Sequence, residues 1–133
     1  MSIPVPAPYS VAFTVPGEPL GTARPRVTRN GTYTPKASRD AQERVGAAFL
    51  AAHPHHKPST GAVYVRAWFY RATAYRRDID NLAKTILDGL NGRAYVDDYQ
   101  VLALDLQVIL RTPRAEARTE VVCYFDTSPE GTP

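Results

Sequence analysis

The sequence predicts an α+β domain, with a mixed β-sheet of about four strands packed against two main helices. Three observations carry this expectation. Ile79, Leu82, Ala83, Ile86, Leu87 and Leu90 recur at helical spacing, the strongest periodicity in the chain. Segments 9–15, 62–72, 100–111 and 119–125 are rich in β-branched and aromatic residues. These segments follow one another as strand, loop, helix, strand, helix, strand, strand, without an internal repeat. A chain of 133 residues suits a single domain, 1–133, with a core of its own.

The elements follow in order. Residues 1–8 are proline-rich and carry no basic residue, so they read as an extended lead-in rather than a signal peptide. "YSVAFTV" (9–15) is a strand. "PGEPLGTARPRVTRNGTYTPKAS" is a long loop, with a short hairpin signalled at Asn30-Gly31. Residues 36–52 read as a helix with Ser38 as N-cap. Its apolar face, Val45, Ala48, Phe49 and Ala52, suits either core or an interface. "HPHHKPSTG" holds three histidines, but its prolines and lysine point to a solvated loop rather than a metal site. In 62–72, Trp68, Phe69 and Tyr70 read as core and edge packing. The second helix, 79–91, closes at Asn91-Gly92, residues that tolerate the left-handed conformation. Strands 100–111 and 119–125 follow, and 126–133 is a flexible tail. Cys123 is the single cysteine, which excludes an internal disulfide and suits a buried position and a reducing, cytoplasmic setting. No apolar run approaches the ~20 residues of a membrane span.

The net charge of +3 implies little, but its distribution is uneven. Arg24, Arg26, Arg29, Lys36, Arg39 and Arg44 face only Asp40 and Glu43 in 21–44, and Arg66, Arg71, Arg76 and Arg77 crowd 66–77 without an acid. The guanidinium fork suits phosphate, so a polyanionic partner is plausible.

Against this basic background, "RRDIDNLAKTILDGLNGRAYVDDYQV" places Asp78, Asp80, Asp88, Asp97 and Asp98 close in sequence. Asp78 and Asp80 open a helix, where carboxylates complement its dipole. Asp80, Lys84 and Asp88 recur every four residues on the face opposite the apolar stripe. Capping and an i,i+4 pair account for one or two of these acids and leave Asp97 and Asp98 unexplained. A helix of about twelve residues runs ~18 Å, and an extended return over 92–98 covers ~20 Å. Asp97 and Asp98 can therefore come back to the helix start. Three or four converging carboxylates repel one another, and a divalent cation relieves the repulsion. Oxygen donors without histidine or cysteine select Mg²⁺ or Mn²⁺. Such an ion beside arginine-rich segments suggests phosphodiester hydrolysis, with Lys84 holding the scissile phosphate or orienting water.

These residues resemble the D-x-D-N-x-x-K…D-D signature of the RusA family of Holliday junction resolvases, many carried by bacteriophages. "RPR" at 24–26 followed by Tyr33 is similar to the family's N-terminal basic segment. The resemblance runs from the first strand to the last. It implies a Mg²⁺-dependent endonuclease acting as a homodimer on four-way DNA junctions, in recombination and repair. By motif position it assigns catalysis to Asp78, Asp80, Lys84 and Asp98, with Asp97 the less essential member of the pair. The corresponding metal ligands are Asp78, Asp80 and Asp98, with Asp97 beside them. Arg24, Arg26, Arg29, Lys36, Arg76 and Arg77 are the expected DNA contacts, mostly to phosphate. A nuclease of other branched DNA is an alternative. So are a non-catalytic nucleic-acid binder with a structural acidic cluster and, more weakly, a small-phosphoester enzyme.

Overall fold

A computed structural model describes residues 9–21, 26–29, 31–33, 35–73 and 79–126, with 26–28, 32 and 33 described as backbone alone. The expected lead-in over 1–8 lies outside these residues, as does the tail except Asp126, whose N–H donates to Ala62 O at 2.9 Å.

Alternating side chains give the strands one buried face. In β1 (Tyr9–Pro16) it carries Val11, Phe13 and Val15; in β4 (Val63–Tyr70) it carries Val63, Val65, Ala67 and Phe69. In β6 (Arg118–Phe125) it carries Thr119, Val121, Cys123 and Phe125. With β5 (Val101–Ile109) these strands form a four-stranded sheet in the order β1-β6-β4-β5. The β1/β6 and β6/β4 pairings are antiparallel and β4/β5 is parallel, so the sheet is mixed as expected. A parallel pair needs a crossover, and the chain between β4 and β5 supplies it through the second helix. A hairpin, β2 (Arg26–Thr28) with β3 (Gly31–Tyr33), stands apart from the sheet. Gly31 there adopts a φ of 114°, which suits the residue at the predicted Asn30-Gly31 turn.

Two helices, α1 (Lys36–Ala52) and α2 (Ile79–Leu90), complete the core. Val45 and Phe49 of α1 join Leu82, Ile86 and Leu90 of α2 against the buried strand face. Each large α2 side chain, once buried, contributes roughly 1.5–3 kcal/mol. The helices approach closely at Gly89, where an added Cβ would stand 2.7 Å from both Gln42 O and Val45 Cβ. The α1 apolar face therefore serves the core through Val45 and Phe49, while Ala52 is exposed.

Several sequence expectations change in detail. Pro35 occupies the N-cap of α1, and Ser38 lies inside the helix, 2% exposed. Phe69 is core, but Trp68 and Tyr70 point to the other face, under the guanidinium groups of Arg66 (5.1 Å) and Arg118 (3.9 Å). The histidine segment is only partly solvated. His56 packs against Phe49 and Phe125; its Nε2 donates to Ala94 O (2.9 Å), so its Nδ1 accepts from the Tyr9 hydroxyl (3.0 Å). His53 Nε2 likewise donates to Ala12 O at 2.8 Å, and His55 is exposed. These histidines fasten the segment to the sheet. Cys123 is buried, which pushes its thiol up to about 12. Among the described residues, no helix is long and apolar enough to cross a membrane.

Candidate active site

The helix α2 buries its apolar stripe and turns Asp80, Lys84 and Asp88 outward. Asp80 occupies its first turn, where the exposed N–H groups favour an anion. The chain leaving α2 folds compactly rather than running back extended. Gly92 takes a φ of 81°, Gly92 N–H donates to Tyr95 O, and Asn91 bridges to Tyr95. Tyr95 is fully buried, and its hydroxyl donates to Leu87 O at 2.7 Å. Burial, and then nearby negative charge, raise its hydroxyl well above the ordinary value. With Tyr95 as a peg, the following residues lie along α2, and Asp98 reaches the cleft that Ile79 and Asp80 of its first turn also line.

Asp97 and Asp98 then form a 3₁₀ turn, Asp98–Gln100, with reciprocal capping. The Asp97 carboxylate accepts the Asp98 N–H at 2.7 Å, and the Gln100 Oε1 accepts the Asp97 N–H at 2.9 Å. Gln100 is buried, and its Nε2 donates to Ser59 O and Gly61 O, both at 2.8 Å. The aspartate pair is thus pinned to the segment before β4. Asp97 spends its carboxylate on the cap, while Asp98 is turned outward.

The outcome is an open cleft of about 280 Å³ between α2 and the edge strand β5. Asp80, Lys84, Asp88 and Asp98 line it, with Leu87 and Leu104 among its apolar walls. Lys84 Nζ stands 3.5 Å from Asp88 Oδ2. The Asp98 carboxyl is held above its ordinary value. Desolvation at the cleft is the largest cause, followed by the hydrogen bond and charge of Asp97 and the charge of Asp88; Lys84 opposes them. Like charges therefore face one another across the cleft, with one ammonium partly offsetting them.

The sequence-predicted residues divide accordingly. Asp80, Lys84 and Asp98 meet in the cleft, and Asp97 supports it from the cap. Asp78, Arg24, Arg76 and Arg77 lie outside the described residues. Arg26 is in β2 opposite Tyr33, where only its backbone is described. Arg29 is exposed at the hairpin turn, and Lys36 is exposed at the start of α1, paired with Asp40 at 2.8 Å. One contact ties the basic loop to the site: Gly21 lies against Asn81, where an added Cβ would stand 3.2 Å from Asn81 Cβ. Gly21, which precedes the basic segment in sequence, therefore lies beside the residue that follows Asp80. Gln100 was missed from sequence, although Asp97-x-x-Gln100 has capping-box spacing. Asp88, which the sequence shows only as part of the helical row, also lines the cleft.

Among the described residues, no group of three or more histidine, cysteine or acidic side chains forms a ready-made metal site. Asp80 and Asp98 nevertheless fit a hard divalent ion. They are oxygen donors, the cleft contains no histidine or cysteine among its lining residues, and ionising Asp98 costs energy that a nearby cation would relieve. Mg²⁺ in particular keeps several waters and needs only one or two carboxylates.

Residues 16–122 match the family model described as endodeoxyribonuclease RusA. The comparison with curated proteins gives no match. The match spans all four strands of the sheet in whole or part, both helices and the whole cleft, and the chain belongs to the RusA endodeoxyribonuclease family.

Proposed function

We propose that this endodeoxyribonuclease is Mg²⁺-dependent and resolves four-way DNA junctions by paired nicks, in recombination and repair. The observation that supports this most directly is the meeting of Asp80, Lys84 and Asp98 in one cleft of a family member. Asp80 and Asp98, joined by Asp78, would hold the ion, and Asp97 would set the direction of Asp98 through the capped turn. When bound, the ion supplies an activated water and stabilises charge on the phosphate. Lys84 carries a compact positive charge on the solvent side of α2, suited to binding the scissile phosphate or orienting the attacking water. Arg24, Arg26, Arg29, Lys36, Arg76 and Arg77 would grip flanking phosphates.

A junction with approximate two-fold symmetry needs two nicks, and a C₂ homodimer offers two equal sites. Such a substrate places the enzyme where the genome is handled, in the cytoplasm of a bacterial cell, including one infected by a phage that encodes it.

The test uses a labelled four-way junction, other branched DNAs and a linear duplex, each with and without Mg²⁺. Symmetric paired nicks confined to the junction are expected, with binding that weakens steeply as salt rises. Asp80→Asn should lower cleavage by about 10³-fold, the scale for losing one electrostatic contact to the transition state, and keep junction binding. Tight binding without cleavage under any divalent ion would make the protein a non-catalytic binder. Cleavage of other branches with equal efficiency would move it to a wider substrate class.

A further inference from the structure

Asp88 has no task in the reading above, yet its placement is specific. Its side chain is 25% exposed, against 57% for Lys84. A single oxygen, Oδ2, stands 3.5 Å from Lys84 Nζ and 3.3 Å from Gln42 Nε2. Gln42 belongs to α1, so the carboxylate is held from a second helix. Gly89 makes this possible, because any larger residue would collide with Gln42 O and Val45 at 2.7 Å.

The pair is a poor device for helix stability. The favourable orientation puts the acid N-terminal to the base, and here Lys84 precedes Asp88. Asp88 also adds negative charge opposite Asp98. Its engaged oxygen faces two nitrogen donors at once. What the arrangement does achieve is restraint. A lysine on four methylenes samples many rotamers, and a fixed carboxylate one turn away limits them.

We propose that Asp88, anchored by the Gln42 amide, is the positioning residue for Lys84, holding its ammonium at the cleft so that it meets the scissile phosphate in one geometry. The inference rests on the nuclease reading for its functional part, whereas the restraint itself can be read without catalysis. In ¹H–¹⁵N spectra selective for ammonium groups, the Lys84 signal, assigned by its loss in Lys84→Ala, should be protected from exchange. It should broaden in Asp88→Asn and, to a lesser degree, in Gln42→Ala. Identical spectra in all three proteins would overturn the proposal, whether or not the protein cuts DNA.

The functional part needs a double-mutant cycle on the four-way junction at saturating Mg²⁺. Asp88→Asn should lower kcat roughly 10- to 100-fold, the scale of a mispositioned catalytic group, with KM and the Mg²⁺ requirement unchanged. In the Lys84→Ala background the same change should cost less than about twofold, because a residue acting through Lys84 has nothing left to act on. Fully additive losses would overturn the proposal. So would a raised Mg²⁺ requirement, which marks a metal ligand, or a loss of kcat no larger than the loss of folded protein. A wild type that cuts no branched DNA would instead defeat the nuclease reading, leaving the ammonium spectra to decide the pairing.

Discussion

Replacing Gln100 with methionine tests how the aspartate pair is held. The two side chains are similar in volume, so packing is largely preserved while three hydrogen bonds disappear. These are Asp97 N–H to Oε1 at 2.9 Å and Nε2 to Ser59 O and Gly61 O at 2.8 Å each. A typical internal hydrogen bond contributes about 0.5–1.5 kcal/mol net, and an orphaned buried partner costs about 1–3 kcal/mol. Asp97 is exposed and its N–H can turn to water, so the two carbonyl contacts dominate. The expected loss is about 2–3 kcal/mol. A domain of this size holds roughly 7–20 kcal/mol, so the variant folds. With an m-value of about 2 kcal/mol/M, the urea midpoint should fall by about 1–1.5 M. Junction cleavage, measured well below that midpoint, should drop further than the folded fraction does, because the turn carrying Asp98 has lost its anchor. A midpoint shift under about 0.3 M, some 0.6 kcal/mol, would refute the view that Gln100 pins the turn.

Three further outcomes follow from packing, charge and metal binding. Gly89→Ala puts a methyl 2.7 Å from Gln42 O and Val45 Cβ, so thermal unfolding should show a loss of about 1–3 kcal/mol from forced separation of α1 and α2. Asp98→Asn should give a protein more stable than wild type at neutral pH in the absence of divalent ions. The sign follows from the raised folded value. The folded state then keeps its proton longer than the unfolded one, so ionisation costs stability. That cost is absent below the ordinary value of 3.8 and grows as pH rises through the raised folded value, so urea midpoints of the two proteins should converge in acid. Adding Mg²⁺ to ten times its Kd should stabilise the wild type by about 1.4 kcal/mol and the variant by less. A wild-type midpoint indifferent to Mg²⁺ and Mn²⁺ would count against the metal site.

Much of the architecture was legible because it is encoded locally. The stripe from Leu82 to Leu90 and the alternation in 119–125 are nearest-neighbour patterns, and burial on one side of a helix or strand enforces them. Where such patterns are weak, local chemistry misleads. Ser38 has the chemistry of an N-cap, yet Pro35 stands there and Ser38 is taken into the helix interior. His56 looked solvated because its partners, Phe125 and Ala94 O, lie far along the chain.

For the site, the residues alone show which chemistry is present: carboxylates and a lysine on one helical face, a second carboxylate pair after a turn, and arginine-rich segments ahead of both. Their arrangement comes from the folded core. It set the strand order β1-β6-β4-β5, brought Asp98 alongside α2 through a compact turn rather than an extended return, and placed Gln42 on Asp88. The physical reason is range. Periodicity and capping act within a few residues, whereas the close helix approach at Gly89 and the anchoring of Gln100 to Ser59 and Gly61 join segments some forty residues apart. Those contacts form only when the core closes.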